Sequence, residues 1–357
     1  MPTTHSLIQI MEARSPVVAG LSLKTALSDE ALSAHLGDFA QDVARINAIA
    51  DTFEVLTARN GAKQTTVRDL AKGLLTSRSF YGSLCEVASY GWLQKAGVDF
   101  RVQVPRSGSE VLNANGTDVD GTIPLLDLDF DIKAFGLEVY LAELFCADLE
   151  RSLKTKVSIE GLMDVGVKSL EQSLFREKER VITELKSVGL SKIPALGWTF
   201  HVQAGPVHVS VKEASPYRLA EENRYYAFKT ARQFSQTRPF ILILALSFRF
   251  NPILSVNFAD STDVALRSLA RRTFLQFRSS SQPVTDFDNG ASPIPLSDAA
   301  ALVSGMLFID IDDPQGARLF LNPAAKHLVT RYHADQMFDF KAEHCCRIIE
   351  DFTYDVY

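Results

Sequence analysis

The chain has 357 residues, 46% of them hydrophobic and 22% charged, with a formal net charge of −6. That composition is globular, fits one large or two ordinary domains, and excludes a mainly disordered chain. No run approaches the roughly 18 apolar residues of a membrane span, the first residues lack a signal-like basic start and apolar core, and four cysteines are too few for a disulfide framework, so a cytoplasmic setting is expected.

Residues 1–75 read as an N-terminal helical region. Ser28 precedes Asp29 and Glu30 before a periodic stretch that ends near Ala58, where Asn60-Gly61 stops it, and Thr66 with Asp69 resembles a capping box. Nothing there suggests catalysis, and a packing, dimerisation or targeting role is expected. The next helix spans Ser79 to Lys95 and is closed by Gly97. Its only carboxylate, Glu86, stands among Leu84, Val87, Ala88, Trp92 and Leu93, and a lone acid in so apolar a helix needs a reason. A strand is expected at Val98 to Val104, ended by Pro105, and another at Thr117 to Ile123.

The run from Leu125 to Phe135 carries the most information. Asp127, Asp129, Asp131 and Lys133 alternate with Leu128, Phe130, Ile132 and Ala134, which in a strand sets all four charges on one face. Three carboxylates in a row repel one another unless something positive sits among them; Lys133 is one such charge and a divalent metal would be a better one. A hairpin turning at Pro124 to Leu126 would lay Asp120 opposite Asp131 and Asp118 opposite Lys133.

Leu137 to Leu153 reads as a helix with Glu150–Lys154 as an i,i+4 pair. A helix is expected around Lys168 to Lys186, a hairpin from Trp198 to Gln203 and Val207 to Val211, and a helix from Leu219 to Gln236. Phe240 to Ser247 has the unbroken apolar pattern of a buried strand. A helix over Thr262 to Phe277, a loop over 279–297, a strand at Met306 to Ile311 and a weakly helical tail after Lys341 complete the chain. Asp310, Asp312 and Asp313 read as a strand end entering a loop. No phosphate-binding GxxxxGK[ST] loop and no Gly-x-Ser-x-Gly elbow occurs.

Charge is unevenly spread. Glu110 to Glu150 holds ten acidic residues against Lys133 alone, whereas Phe228 to Arg278 holds eight basic residues against two acidic ones. The second stretch, with Arg232, Arg238, Arg267, Arg271 and Arg272, is a candidate nucleic-acid-binding surface, the plain alternative being a solvated helix face.

The order of a helix with Glu86, a strand, a strand with Asp120, a strand with Asp131-Ile132-Lys133, a helix and a later buried strand resembles the PD-(D/E)xK nuclease superfamily. The likeness is close over about residues 78–160 and looser to about 250. It implies an α/β, restriction-endonuclease-like mixed central sheet flanked by helices, with the nuclease domain over 76–330, an insertion around 155–215 and a C-terminal helical tail over 331–357. It also implies a Mg²⁺-dependent nuclease acting on DNA, in defence against foreign DNA or in repair, working as a homodimer where duplex is cut. Asp120, Asp131, the Ile132 carbonyl and Glu86 would hold the metal, with Mn²⁺ able to substitute, and Lys133 would position the attacking water. Val119 replaces the proline that usually precedes the first acid, Asp118 competes with Asp120 for that role, and Gln233 is a further polar candidate. Two alternatives stand beside this reading. One is a non-catalytic nucleic-acid-binding or assembly protein that keeps the fold; the other is a carboxylate-based hydrolase such as a glycosidase, using Asp129 or Asp131 with Glu86.

Overall fold

The computed structural model describes residues 9, 11–13, 15–20, 43–76, 78–161, 167–202, 216–247, 250–251, 261–313, 316–338 and 346–350. Among the described residues a four-residue helix (Pro16–Ala19) and three longer ones, α1 (Val43–Ala58), α2 (Gln64–Leu74) and α3 (Phe80–Lys95), are packed together before the first strand. α1 ends just before Asn60-Gly61, as its sequence requires, Gly61 taking a left-handed φ of 70°. Thr66 does not cap α2: the helix begins at Gln64 after Lys63, so Thr66 already lies inside the first turn. The expected start near Ser28 lies outside the described residues.

The chain is an α/β protein built on a mixed seven-stranded sheet. Its strands are β1 (Arg101–Arg106), β2 (Thr117–Ile123), β3 (Leu128–Ala134), β7 (Phe240–Leu246), β8 (Gly305–Asp310), β9 (Ala317–Leu321) and β10 (Cys346–Ile349), side by side in that order. β1 to β3 form an antiparallel meander, β3–β7–β8 run parallel, β9 returns antiparallel, and β10 adds parallel to β9. The C-terminal expectation is therefore corrected: after a short helix, Arg331–Met337, the described tail is a sheet edge. Pro105 does not end β1 but lies within it, tolerated because β1 is at the sheet's edge and has no neighbour needing that missing N–H.

Between β3 and β7 the chain forms α4 (Leu137–Leu153), β4 (Val157–Glu160), α5 (Val167–Val188), β5 (Leu190–Ile193) and β6 (Trp198–Val202), with the three strands in a separate sheet. β6 is its middle strand, paired on both edges; Val207 to Val211, the other arm of the expected hairpin, lie outside the described residues. The Glu150–Lys154 pair is replaced as well: Lys154 leaves the helix with a left-handed φ of 55°, and Glu150 instead binds Lys156 Nζ at 2.9 Å. The expected helix up to Gln236 breaks into α6 (Pro216–Glu222) and a 3₁₀ segment, Tyr226–Gln233. α7 (Ser261–Arg271) follows β7 and continues into a π turn through Gln276.

β7 is buried throughout, and its alternation separates two cores. Ile241, Ile243 and Ala245 join Phe130, Ile132 and Ala134 under α3; Phe240, Leu242, Leu244 and Leu246 face the 3₁₀ segment, α7, Met306 and Phe308. In the β3–β7 register Asp129, Asp131 and Lys133 lie beside Phe240, Leu242 and Leu244, so the charged face of β3 is turned into the second core. β3 is thus a central strand covered on both faces.

Candidate active site at the β2–β3 fork

β2 and β3 pair through Ile123↔Leu128, Thr122↔Asp129 and Gly121↔Phe130, the register expected from a turn at Pro124–Leu126. At Gly121 the strands are drawn close, because the Phe130 ring covers the glycine; a Cβ there would lie 2.2 Å from Phe130 Cζ. Past Gly121 the ladder stops. β2 continues beside β1 as far as Thr117 and parts from β3, opening a fork at Asp120. The Asp120 carboxylate fills the gap: its Oδ2 accepts the Ile132 peptide N–H at 2.7 Å. Asp129 N–H bonds Pro239 on the β7 side, so by alternation the Ile132 N–H and carbonyl both face the fork.

Asp131 and Lys133 reach the same place. Lys133 Nζ lies 2.6 Å from Asp131 Oδ2 and 3.9 Å from Asp120 Oδ2. The Asp131 side chain is wholly buried, while 16% of Asp120 and 24% of Lys133 remain exposed, so the fork opens to solvent past those two. The Lys133 ammonium meets Asp131 as a close ion pair but off the direction of a hydrogen bond, and among the described residues neither Asp131 oxygen has a hydrogen-bond donor. An orphaned carboxylate in a dry site is costly and needs an explanation. Glu86 approaches on α3 from the other core, close enough to Asp120 and Lys133 for their charges to act on its carboxyl. The Tyr90 hydroxyl lies 3.3 Å from Glu86 Oε1 and 3.0 Å from the Asp120 carbonyl oxygen.

Electrostatics follow from three acids around one ammonium. Burial, then repulsion from Asp120, pushes the Glu86 carboxyl up to about 8, against the opposing pull of Lys133 and Tyr90. Burial and Asp120 likewise hold Asp131 well above the carboxylate range. Burial alone would depress Lys133, but Asp131 and Asp120 reverse this and keep it an ammonium. The unpaired negative charge must be met by a proton or by a cation. Without a divalent cation, Glu86 therefore holds a proton in the folded chain that the unfolded chain releases near 4.5, and stability falls as pH rises from there to about 8. The expected result is a melting temperature that drops across this window in the wild type and drops less in Glu86→Gln. A wild-type profile parallel to that of Glu86→Gln would contradict it.

The structure thus brings together Glu86, Asp120, Asp131, Ile132 and Lys133. It leaves out Asp118, which is exposed opposite Pro105 of β1, because the strands have parted before it could face Lys133. Gln233 is half-buried at the end of the 3₁₀ segment, which packs on β2. Asp127 lies in the turn with a left-handed φ of 45° rather than in the strand. Asp129 is the clearest correction: it is wholly buried, and Arg106 Nε and Nη2 donate to its Oδ2 and Oδ1 at 3.0 and 2.5 Å. Arg238 completes that network, binding Asp127 at 2.7 Å and Glu110 at 2.9 Å with Asp129 at 3.6 Å. Arg272 is buried and donates to Glu221 at 2.9 Å. Neither arginine is presented as a free phosphate contact. Arg232 is half-buried beside Asp288, and Arg267 and Arg271 are half-buried on α7.

Sequence reasoning missed Tyr90, whose place one helical turn beyond Glu86 was a usable signal. It also missed Gln103, which stands opposite Asp120 in the β1–β2 register and takes a left-handed φ of 51°. Nothing in the local sequence marks that conformation.

A donor set of carboxylates and a backbone carbonyl suits a hard cation, and the orphaned Asp131 oxygens fit one. Among the described residues, no three His, Cys, Asp or Glu side chains are drawn closely enough together to form a ready-made metal group. No described helix is long and apolar enough to cross a membrane. Comparison with protein-family models, curated proteins and solved structures gives no match.

Proposed function

We propose that the chain is a Mg²⁺-dependent nuclease of the restriction-endonuclease-like type, hydrolysing phosphodiester bonds in DNA, with Mn²⁺ able to substitute. The observation that carries this reading is Asp131, buried, without a hydrogen-bond donor among the described residues, and facing Lys133 and Asp120 in a strand fork. Asp120, Asp131, the Ile132 carbonyl and Glu86 would hold the ion, which supplies charge stabilisation to the phosphate and acidifies a bound water. Lys133 stays charged and partly exposed, so it can meet an incoming phosphate oxygen and orient the water beside it. Asp120 fixes the Ile132 peptide and with it the direction of the Ile132 carbonyl. Half-buried Arg232, Arg267 and Arg271 are basic candidates for backbone contacts, whose contribution would weaken with salt. A homodimer with one site per strand, and a role in defence or repair, belong to the same proposal.

The test is incubation of supercoiled, linear and single-stranded DNA with Mg²⁺, Mn²⁺ or EDTA. Cleavage with either metal that EDTA abolishes is the expected result; cleavage in EDTA would remove the metal from the reading.

A second reading has its own observation. Lys133 already neutralises Asp131 at 2.6 Å, and the acids are not gathered as a finished metal group among the described residues. That favours a nucleic-acid-binding protein that retains the architecture without turnover. Intact DNA with both metals, together with retained gel-shift binding, would select it.

A further inference from the structure

α3 presents two side chains to the fork, one turn apart: Glu86 and Tyr90. Tyr90 is fully buried, its ring stacked on Phe100 with centroids 5.8 Å apart and planes 10° from parallel. Its hydroxyl has one proton and two acceptors, the Asp120 carbonyl oxygen at 3.0 Å and Glu86 Oε1 at 3.3 Å. The first belongs to β2 and the second is the acid that α3 contributes, so one hydroxyl joins the two elements that deliver carboxylates to the fork. The β1 residue opposite Asp120 is Gln103, which is turned into the left-handed region, and the β1–β2 pairing skips this position.

We propose that Tyr90 is a positioning residue: with its ring fixed on Phe100, its hydroxyl gives its one proton to the ionised Glu86 carboxyl and so holds that carboxyl at the fork, at a set distance from Asp120 and Asp131, and turns to the Asp120 carbonyl when Glu86 is protonated. Glu86 is half-buried and has three side-chain torsions. Ionised, as it must be to help hold an ion, it is repelled by Asp120 and would otherwise turn toward solvent. A phenol that orients a metal ligand from behind acts on affinity without touching substrate. The inference rests on the metal site proposed above.

The experiment is calorimetric Mn²⁺ binding by the wild type, Tyr90→Phe, Glu86→Gln and the double variant, with thermal melts of each. Tyr90→Phe keeps the ring and its stacking on Phe100, so the fold should persist while Mn²⁺ binding weakens by about tenfold or more, the range for lost outer-shell partners. In the Glu86→Gln background the same change should cost less than about twofold further, since contacts that act as one unit are not additive. Wild-type affinity in Tyr90→Phe, or an equal loss with and without Glu86, overturns the proposal. So does unchanged Mn²⁺ affinity in Glu86→Gln, a result that does not depend on how well the Tyr90 variant folds. A wild-type chain that binds neither Mn²⁺ nor Mg²⁺ would instead overturn the metal site on which the inference stands.

Discussion

Asp131→Asn is expected to reduce DNA cleavage by at least ~100-fold, the scale for removing a group that acts on the reacting centre, and to weaken Mg²⁺ binding without lowering thermal stability. The reason is the imbalance at the fork. Asp131 is a buried carboxylate that pairs with Lys133 but, among the described residues, takes no hydrogen bond, so an amide of the same shape relieves a costly buried charge as well as ending that ion pair. Lys133 keeps Asp120 at 3.9 Å and a quarter of its surface in solvent. Lys133→Ala should lose cleavage to a similar degree by the opposite change, leaving Asp131 dry and unpaired so that it takes up a proton in place of holding a cation. Asp118→Asn, altering an exposed acid outside the fork, is the matched control and should leave turnover unchanged. Kinetics on a single DNA substrate with denaturation curves for each chain decides the matter. Turnover retained in Asp131→Asn or Lys133→Ala would withdraw the catalytic assignment of that strand.

The largest stability effect should come from the other end of the same strand. Arg106→Ala is expected to destabilise the protein by about 3 kcal/mol, the lower part of the range for stranding one member of a buried ion pair. Asp129 is wholly buried and its two oxygens take two hydrogen bonds from the Arg106 guanidinium; without them the cation left near it among the described residues is Arg238, at 3.6 Å. Asp129→Asn should cost less, because the amide carries no charge to strand. Metal affinity and turnover at a temperature where the variant is folded should stay near wild type, since neither residue belongs to the Asp120–Asp131–Lys133 group. Urea unfolding measures the first claim and calorimetry the second. A loss below about 1 kcal/mol, the scale of an ordinary exposed pair, would mean that the network is not holding the strand ends together.

These two variants separate what one stretch of sequence had grouped. The alternation from Asp127 to Lys133 set four charges on one face and was enough to place Asp120 beside Asp131, because antiparallel register follows from the length of the Pro124–Leu126 turn. Glu86 was legible for a similar reason: an acid without neighbours of its own kind in an apolar helix has to be directed somewhere. The alternation does not show whether that face lies in water or in the core. β7 pairs with β3 from more than a hundred positions along the chain, and the second core packed on the two strands buries the face, leaving Asp129 held by Arg106 and Asp131 against Lys133 away from water. The basic count between Phe228 and Arg278 misled, since Arg238 and Arg272 are taken by acids distant in sequence.

By itself, then, the sequence determined the local geometry: which residues form β2, β3, β7 and α3, and which side chains share a face, because periods of two and of about 3.6 residues are properties of the backbone. Only the tertiary structure decided how far the β2–β3 ladder runs, which carboxylates lie in water and which in the core, and that Tyr90 and Gln103 border the fork. Those outcomes depend on contacts between distant segments and on the dielectric they create, and a charge reads the same in sequence whether it is solvated or buried.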